Sequence, residues 1–156
     1  MIRPLIKSDR NTVHDILIKT EMFTNAEIKI AEELIDIYLN QPDQRDYEII
    51  VVENEKKVVG YLCFGPTPLT EGTYDLYWMA VHPLEQGRGF GKQMVRWLED
   101  KIKEVNGRLI IIETSSQIKY EPTRQFYLRQ NYRETARISD FYKKGDDRVI
   151  YTKYFQ

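Results

Sequence analysis

The sequence predicts one α/β domain over residues 1–156: a mixed, mostly antiparallel seven-stranded sheet with helices on both faces. The first reason is the order strand, glycine-rich loop and amphipathic helix between Tyr74 and Val105. The second is the continuous apolar run Leu109–Glu113 after that helix, which is typical of a strand buried on both faces beside a parallel neighbour. The third is a set of β-rich runs joined by short turns, which predicts antiparallel hairpins. One parallel crossover among hairpins gives a mixed sheet.

A short strand and an amphipathic helix are predicted at the start of the chain. Ile2–Leu5 is the strand, and Ser8 or Asp9 can cap the helix that follows it. His14 lies off the apolar face of this helix, which indicates a surface position. The apolar face itself consists of Val13, Ile16, Leu17 and Thr20.

A second helix is predicted from both of its ends. Thr24–Glu27 has the pattern of a capping box, and Phe23 with Ile28 fits the hydrophobic staple that accompanies such a box. The apolar stripe continues to Asn40, and Pro42 prevents the helix from going further. This helix is therefore the best defined element in the first part of the chain.

A hairpin and the central strand come next. Tyr47–Glu53 and Val58–Phe64 are β-rich runs joined by a four-residue loop, Asn54–Lys57. The central strand, Tyr74–Val81, is aromatic and apolar enough to be buried. The helix after the glycine-rich loop ends before Asn106-Gly107. Its apolar residues are Met94, Val95, Leu98, Ile102 and Val105.

The remainder predicts a short helix and a closing hairpin. Pro122 suits the first turn of a helix that runs through Gln130, and Asn131 can take the left-handed cap position. The strands Tyr132–Tyr142 and Arg148–Phe155 then flank the turn residues 144–147. The predicted order is thus strand, helix, helix, three strands, helix, strand, helix, two strands.

The loop Gln86–Gly91 carries the clearest chemical signal in the chain. Its glycines, the following helix N-terminus and Arg88 or Lys92 form a site suited to a phosphorylated ligand. The spacing excludes a P-loop, because three rather than four residues separate Gly87 from Gly91. A dinucleotide fingerprint also fails, because its sixth position requires glycine.

The pattern Q-x-x-G-x-G in Gln86–Gly91 resembles the acetyl-CoA pyrophosphate loop of the GNAT acyltransferase superfamily, and Ala80–Pro83 resembles that family's lead-in to the loop. Phe126–Tyr132 is similar to the end of a second family pattern, N-x-x-A-x-x-F-Y-x-x-x-G-F. The resemblance implies the GNAT order of elements and acetyl-CoA as co-substrate. The cofactor-binding residues that it implies are Met79, Ala80, Val81, Gln86, Gly87, Arg88, Gly89, Phe90, Gly91 and Lys92.

The resemblance also implies two catalytic residues. Tyr127 stands where the family has the tyrosine that protonates the departing CoA thiolate. Asp75 lies eleven residues before Gln86, where histone-acetylating relatives carry a glutamate, and is the candidate general base, acting through one water. Desolvation in an apolar strand would make such a carboxylate more basic. A structural role stays open for both residues, and His82 is a weaker candidate base.

The function implied is transfer of an acetyl group from acetyl-CoA to a primary amine, by direct attack in a ternary complex with oxyanion stabilisation near Val81. The amine is a small molecule, a peptide N-terminus or a lysine. The alternative is a non-catalytic acyl-CoA-binding regulatory module. Acceptors are expected around Met22, Phe23, Tyr38, Phe141 and Tyr142.

Composition limits the remaining possibilities. A net charge of −1 without a basic block argues against nucleic-acid binding. No apolar run is long enough to span a membrane, and the start of the chain lacks a signal-peptide pattern, so a cytoplasmic protein is expected. The lone Cys63 excludes internal disulfides, and no His or Cys cluster indicates a metal site. A homodimer formed through the closing hairpin is an option.

Overall fold

The strands and helices of the chain follow the predicted order in the computed structural model, which describes residues 1–156. The strands are β1 (Ile2–Pro4), β2 (Glu48–Asn54), β3 (Lys57–Pro66), β4 (Thr73–Val81), β5 (Leu109–Ser115), β6 (Arg133–Lys143) and β7 (Asp146–Tyr154). The α-helices are α1 (Arg10–Lys19), α2 (Asn25–Asn40), α3 (Phe90–Glu104) and α4 (Glu121–Arg129).

All seven strands join one sheet in the order β1-β2-β3-β4-β5-β7-β6. The β4–β5 pair is parallel and every other pair is antiparallel, which confirms the predicted fold class. The parallel register runs only from Thr73 opposite Leu109 to Leu76 opposite Ile112. The helix α3 makes the crossover between these two strands.

The sheet separates two apolar cores. Helices α1 and α2 cover one face, called here the α1–α2 face, and α3 and α4 cover the other, the α3–α4 face. The stripe predicted for α3 is buried except at Val105, which is 51% exposed because it lies at the C-cap of the helix. The buried helix residues on the α1–α2 face are Val13, Ile16, Leu17, Ile28, Ala31 and Ile35, and those on the α3–α4 face are Met94, Val95, Leu98, Ile102 and Tyr127.

The helix caps follow the sequence at α2 but not at α1. The hydroxyl of Thr24 accepts from the Glu27 amide at 3.2 Å, and the Glu27 carboxylate accepts from the Thr24 amide at 3.0 Å, so the predicted capping box is confirmed. Asp9 precedes α1, but its carboxylate accepts instead from the amide of Ile6 and from Arg3. The carboxylate of Asp9 therefore binds the guanidinium of Arg3 in preference to the amides of the first turn of α1.

Both hairpin turns are tighter than the four-residue loops that the sequence suggested. Glu55 and Lys56 alone connect β2 to β3, and both take left-handed backbone angles, with φ of 50° and 66°. Lys143 pairs with Asp146, so the turn between β6 and β7 also has two residues. Positive φ at both turn residues, as at Glu55 and Lys56, is typical of a type I′ turn, whose twist matches the right-handed twist of paired strands. In the β6–β7 turn only Gly145 has positive φ.

Strand β6 forms a free edge of the sheet, and each of its residues is exposed. Its pairing with β7 is interrupted between Ile138 and Lys143, where Asp140 has a φ of 55°. A bulged edge strand is a poor template for another strand, because its free amides and carbonyls do not lie in one row.

The C-terminus of α4 ends in the left-handed residue predicted from the sequence. Asn131 has a φ of 68°, and the next amide, that of Tyr132, donates to the carbonyl of Tyr127 at 3.0 Å. This bond satisfies a carbonyl of the last helical turn and sends the chain into β6.

Replacing Asn131 therefore tests the cap. We expect Asn131→Ala to lower the free energy of unfolding by about 1 kcal/mol, because alanine lacks the local hydrogen bonding that lets asparagine tolerate positive φ. Asn131→Gly, which has no Cβ, is the matched control and should change the stability by less. Urea unfolding followed by circular dichroism measures both. Equal losses in the two variants would show that the asparagine side chain, and not its backbone angle, matters at this position.

Candidate active site

A gap opens in the sheet between β4 and β5. The two strands pair as far as Leu76 and Ile112, and then both continue without pairing. The cause lies in β4: Trp78 is opposite Cys63 and Leu76 is opposite Phe64, so Tyr77 is an extra residue, a β-bulge. A bulge bends the strand that carries it and increases its twist, and here it marks the point where β4 leaves β5.

The hydrogen-bond phase of β4 determines which backbone groups face the gap. The amide of His82 donates to the carbonyl of Val59 at 2.7 Å, so these two residues form a hydrogen-bonded pair. Such pairs alternate along an antiparallel ladder, which directs the backbone of Ala80 toward β3. Met79 and Val81 direct their amides and carbonyls toward the gap, where β5 no longer pairs with them.

A cavity of about 1070 Å³ extends from this gap to the glycine-rich loop. The structure brings the predicted site residues together there, with the exception of Arg88. Those that line the cavity are Asp75, Met79, Ala80, Val81, Gln86, Gly87, Gly89, Phe90, Gly91, Lys92 and Tyr127.

Two of the three loop glycines are required by their backbone angles. Gly87 and Gly89 have φ of 77° and 88°, angles that side-chain-bearing residues rarely adopt, and a Cβ at either position would point into open space. Gly91 is helical, and a Cβ there would lie 3.4 Å from the ring of Phe126, which is an ordinary van der Waals contact. Gly87 and Gly89 thus shape the turn, whereas neither the backbone angle nor the packing at Gly91 demands glycine.

The loop leads into a helix N-terminus that no side chain caps. Gly89 is the N-cap of α3, and the amides of the first turn have no partner within the helix. Free amides together with the positive end of the helix dipole bind anions. Lys92 lines the cavity beside them, whereas Arg88 pairs with Glu85 and lies over the ring of Phe90. Lys92 is thus the loop's cation at the cavity.

Gln86 has a contact that the sequence did not indicate. Its side-chain nitrogen donates to the carbonyl of Val81 at 3.1 Å. This bond ties the loop to the end of β4 and uses the Val81 carbonyl, so the Val81 amide is the group of that residue left free toward the gap.

Tyr127 projects from α4 into the cavity and is 5% exposed. Its ring packs near those of Phe126, Tyr132 and Tyr151, with centroid distances of 5.5, 6.2 and 6.2 Å. The hydroxyl makes no hydrogen bond within the chain. Burial raises the pKa of this hydroxyl above its usual range, so it keeps its proton throughout the physiological range.

Asp75 also lines the cavity, before the bulge in β4. Its carboxylate accepts from the hydroxyl of Thr67 at 2.6 Å. Burial, assisted by the charge of Asp75, raises the pKa of the neighbouring Tyr77 to about 12. Asp75 therefore accepts a hydrogen bond from a neutral hydroxyl and forms no salt bridge.

Only some of the residues expected around the acceptor line the cavity. Met22, Phe23 and Tyr142 line the cavity, whereas Tyr38 and Phe141 do not. Tyr38 packs against the core of the α1–α2 face, and Phe141 lies under the guanidinium of Arg148 at 4.8 Å. Neither side chain reaches this cavity, because the direction of a side chain depends on packing across the sheet.

His82 does not line the cavity. Its Nδ1 accepts from the amide of Leu84 at 3.1 Å, which caps the short turn before the loop. This contact supports a structural role for the histidine.

Several residues that line the cavity were not predicted to belong to the site, notably Glu27, Thr114, Tyr120 and Asp146. Glu27 belongs to a capping box, and Asp146 was expected in a turn. They reach the cavity through tertiary contacts, so no local pattern could have identified them.

No group of three or more His, Cys, Asp or Glu side chains is arranged to hold a metal ion. None of the four α-helices combines the length and apolar character that a membrane-crossing helix needs.

Comparison with known proteins gives one family. A family model described as an acetyltransferase (GNAT) domain matches residues 45–134. The crystal structure of a protein from Desulfovibrio desulfuricans assigned to the GNAT acetyltransferases is 37% identical, with a TM-score of 0.94 over 99% of this chain and 98% of that one. No curated protein sequence matches the chain.

Two more distant structures share the fold alone. An aminoglycoside 6'-N-acetyltransferase complexed with coenzyme A is 15% identical, with a TM-score of 0.75 over 99% of this chain and 96% of that one. A ribosomal-protein-alanine N-acetyltransferase from Brucella melitensis is 18% identical, with a TM-score of 0.76 over 99% of each chain.

Proposed function

The chain belongs to the GNAT acetyltransferase family, and from that membership we propose that it is an N-acetyltransferase that moves the acetyl group of acetyl-CoA to a primary amine. In this reaction a C–N bond forms and the thioester C–S bond breaks. The amine loses a proton and the departing thiolate gains one. The observation that carries the proposal is the single cavity that joins the β4–β5 gap, the uncapped start of α3 and the hydroxyl of Tyr127.

Acetyl-CoA fits the groups that this cavity offers. Its pyrophosphate requires amide donors and positive charge, which the first turn of α3 and Lys92 supply. Its pantetheine arm is an extended chain with amide groups, and β4 offers the backbone of Met79 and the amide of Val81 toward the gap. In this proposal the same amides also donate to the thioester oxygen, on which negative charge develops as the amine attacks.

The amine must be neutral when it attacks, because an ammonium has no lone pair. We assign Asp75 the role of general base, acting through one water. Its bond from Thr67 orients the carboxylate without neutralising its charge.

Tyr127 is the proposed proton donor to the thiolate. A tyrosine with a raised pKa remains protonated at working pH, but full proton transfer from it to a thiolate is uphill. Its hydroxyl therefore donates a hydrogen bond to the sulfur as negative charge develops there. As the proton passes to the sulfur, the tyrosine takes up the proton that the nitrogen of the attacking amine loses.

The alternative is a non-catalytic acyl-CoA-binding module with the same loop. It predicts binding without turnover. Release of free thiol from acetyl-CoA in the presence of a panel of amines separates the two functions.

The first test concerns the loop. At a concentration of about one hundred times Kd, CoA should stabilise the protein by about 2.7 kcal/mol, which raises Tm by roughly 5–10 °C. We expect Gly89→Ala to abolish this shift, because alanine disfavours the φ of 88° that Gly89 adopts at the N-cap of α3 and so alters the turn that presents the amides. Gly145→Ala is a matched control: Gly145 has a φ of 83° and open space around it, but lies in the β6–β7 turn. Differential scanning fluorimetry with and without CoA measures both. A full CoA shift in the Gly89 variant would exclude the loop as the phosphate site.

The second test concerns Asp75. We expect Asp75→Asn to lower kcat/KM about a hundredfold at neutral pH, a magnitude typical of general base catalysis. The defect should shrink at high pH, where neutral amine is abundant and needs no base. The pH profile of thiol release measures this. A defect of the same size at every pH would assign Asp75 a structural role.

The third test concerns Tyr127. Removing its hydroxyl in Tyr127→Phe should lower kcat about a hundredfold, the lower end for acid catalysis, because a thiolate is a stable leaving group. The ring contacts remain, so Tm and the CoA-induced shift should be retained. A thioester with a more acidic thiol should restore part of the rate. Turnover at the wild-type rate, with chemistry limiting, would remove Tyr127 from the mechanism.

A further inference from the structure

Only two charged side chains of the chain are buried, and they differ in their partners. Asp9 is 6% exposed and pairs with Arg3 at 2.7 Å. Asp146 is 3% exposed and has no Lys, Arg or His nitrogen within salt-bridge distance. Buried charges in proteins are normally paired, since removal of an ion from water without a counter-ion is unfavourable. Asp146 is thus the one buried charge without an ion pair, and it lines the cavity.

Asp146 is held in its ionised form by neutral donors. Its two oxygens accept from the hydroxyl of Ser115 at 2.5 Å and from the side-chain amide of Gln117 at 2.7 Å. Burial opposes ionisation, but these bonds outweigh it, so the pKa of Asp146 lies below its usual value. The fold therefore keeps a fixed negative charge at this point of the cavity wall.

Glu27 is a second carboxylate on this part of the wall that lacks a cation. Two aromatic side chains, Tyr120 and Tyr142, lie near both carboxylates. Burial and the charges of Glu27 and Asp146 raise the pKa of Tyr120 to about 12, and the same influences raise that of Tyr142. Carboxylates beside aromatic rings form a favourable environment for an organic cation. We call the group formed by Glu27, Tyr120, Tyr142 and Asp146 the second-cation subsite.

Two lysines line this end of the cavity, and neither forms a salt bridge with a carboxylate of the subsite. Lys119 is exposed, and its ammonium donates to the carbonyl of Met22 at 3.0 Å and lies over the ring of Tyr120. Lys143 is exposed, and its charge contributes to the low pKa of Asp146. Exposed charges are screened by water and salt, whereas a buried carboxylate acts at lower dielectric. Asp146 is therefore the charge of the subsite that solvent screens least.

Two hydroxyls border this cavity without a partner in the chain. Tyr127 and Thr114 line the cavity and make no side-chain hydrogen bond. Each hydroxyl is therefore free to bond to a molecule that enters the cavity. The cavity thus offers neutral hydrogen-bonding groups as well as carboxylates.

We propose that the acceptor is a small molecule with two positive charges, of which one amine is acetylated and the other ammonium is held by the second-cation subsite. This inference rests on the proposed function and names its substrate class. The hydroxyl of Tyr120 donates to the Met22 carbonyl at 3.0 Å, which fixes the position of this ring within the subsite.

Three amines of equal length test the proposal. Cadaverine, n-pentylamine and δ-aminovalerate present the same reactive amine with a positive, absent or negative charge at the far end. We expect kcat/KM with acetyl-CoA to be about tenfold higher for cadaverine than for pentylamine, which corresponds to one charge-assisted hydrogen bond, and lowest for δ-aminovalerate.

Variants at the subsite should remove this preference. Glu27→Gln retains the capping box, because glutamine serves at that position as well as glutamate. Asp146→Asn retains the shape of the side chain. Each should reduce the ratio of cadaverine to pentylamine activity several-fold, and the double variant should bring the ratio close to one. Glu33→Gln, at an exposed position of α2 outside the cavity, removes the same charge and should leave the ratio unchanged.

Binding provides a readout that does not depend on turnover. Calorimetric titration of the three amines into the CoA-saturated protein should show the same order of affinity and the same loss in Glu27→Gln. If cadaverine binds preferentially but no amine is acetylated, the proposed function fails and the second-cation subsite stands. If cadaverine has no advantage over pentylamine in either measurement, or keeps it in the double variant, the proposal is overturned.

Discussion

The structure depends on the separation of two parallel strands. Parallel strands normally pair along their shared length, yet β4 and β5 stop pairing at Leu76 and Ile112 while both continue. An unpaired backbone group buried in a sheet is unfavourable unless a ligand or water satisfies it. The bulge at Tyr77 bends β4 away from β5, and the two strands then border a slot toward which unpaired backbone amides of β4 are directed. The glycine-rich loop and α4 both border this slot, so the remaining site groups are arranged around it.

Polar contacts hold the far wall of the slot in place. Arg124 on α4 donates to the carbonyls of Ser115 and Gln117 at 2.7 and 2.9 Å, at the end of β5 that no longer pairs with β4. The same two residues donate through their side chains to Asp146 at the start of β7. The near wall is held by the β3–β4 ladder. A slot fixed on both sides needs little reorganisation when a ligand enters, which favours both affinity and orientation.

The two ends of the cavity carry different charged groups. Its loop end offers free amides, the positive end of α3 and Lys92, and is suited to phosphate. Its other end contains Glu27 and Asp146, neither of which forms a salt bridge, together with Lys119 and Lys143. In the proposed reaction, the phosphates of the donor lie at the loop end and the amine approaches Tyr127 from the other end.

The sequence by itself determined the features that depend on neighbouring residues. The capping box at Thr24 and the left-handed Asn131 are local patterns, and each was confirmed in place. The apolar run of β5 was confirmed as a strand, but not as one buried on both faces, because Leu109 and Ile111 are only half-buried and Glu113 is exposed. The spacing of the loop glycines likewise excluded other phosphate motifs, because each of those motifs requires its own fixed spacing. Such features can be predicted because their physical causes act within a few residues.

Only the tertiary structure decided the composition and charge of the cavity. Asp146 meets Ser115 and Gln117 across 31 and 29 residues of chain, and the Tyr77 bulge appears only in the register between β3 and β4. Arg88 pairs with Glu85, three residues earlier in the chain, and does not line the cavity, whereas Lys92 does. A local sequence pattern cannot predict which distant side chains will contact it, because those contacts depend on how the whole sheet packs.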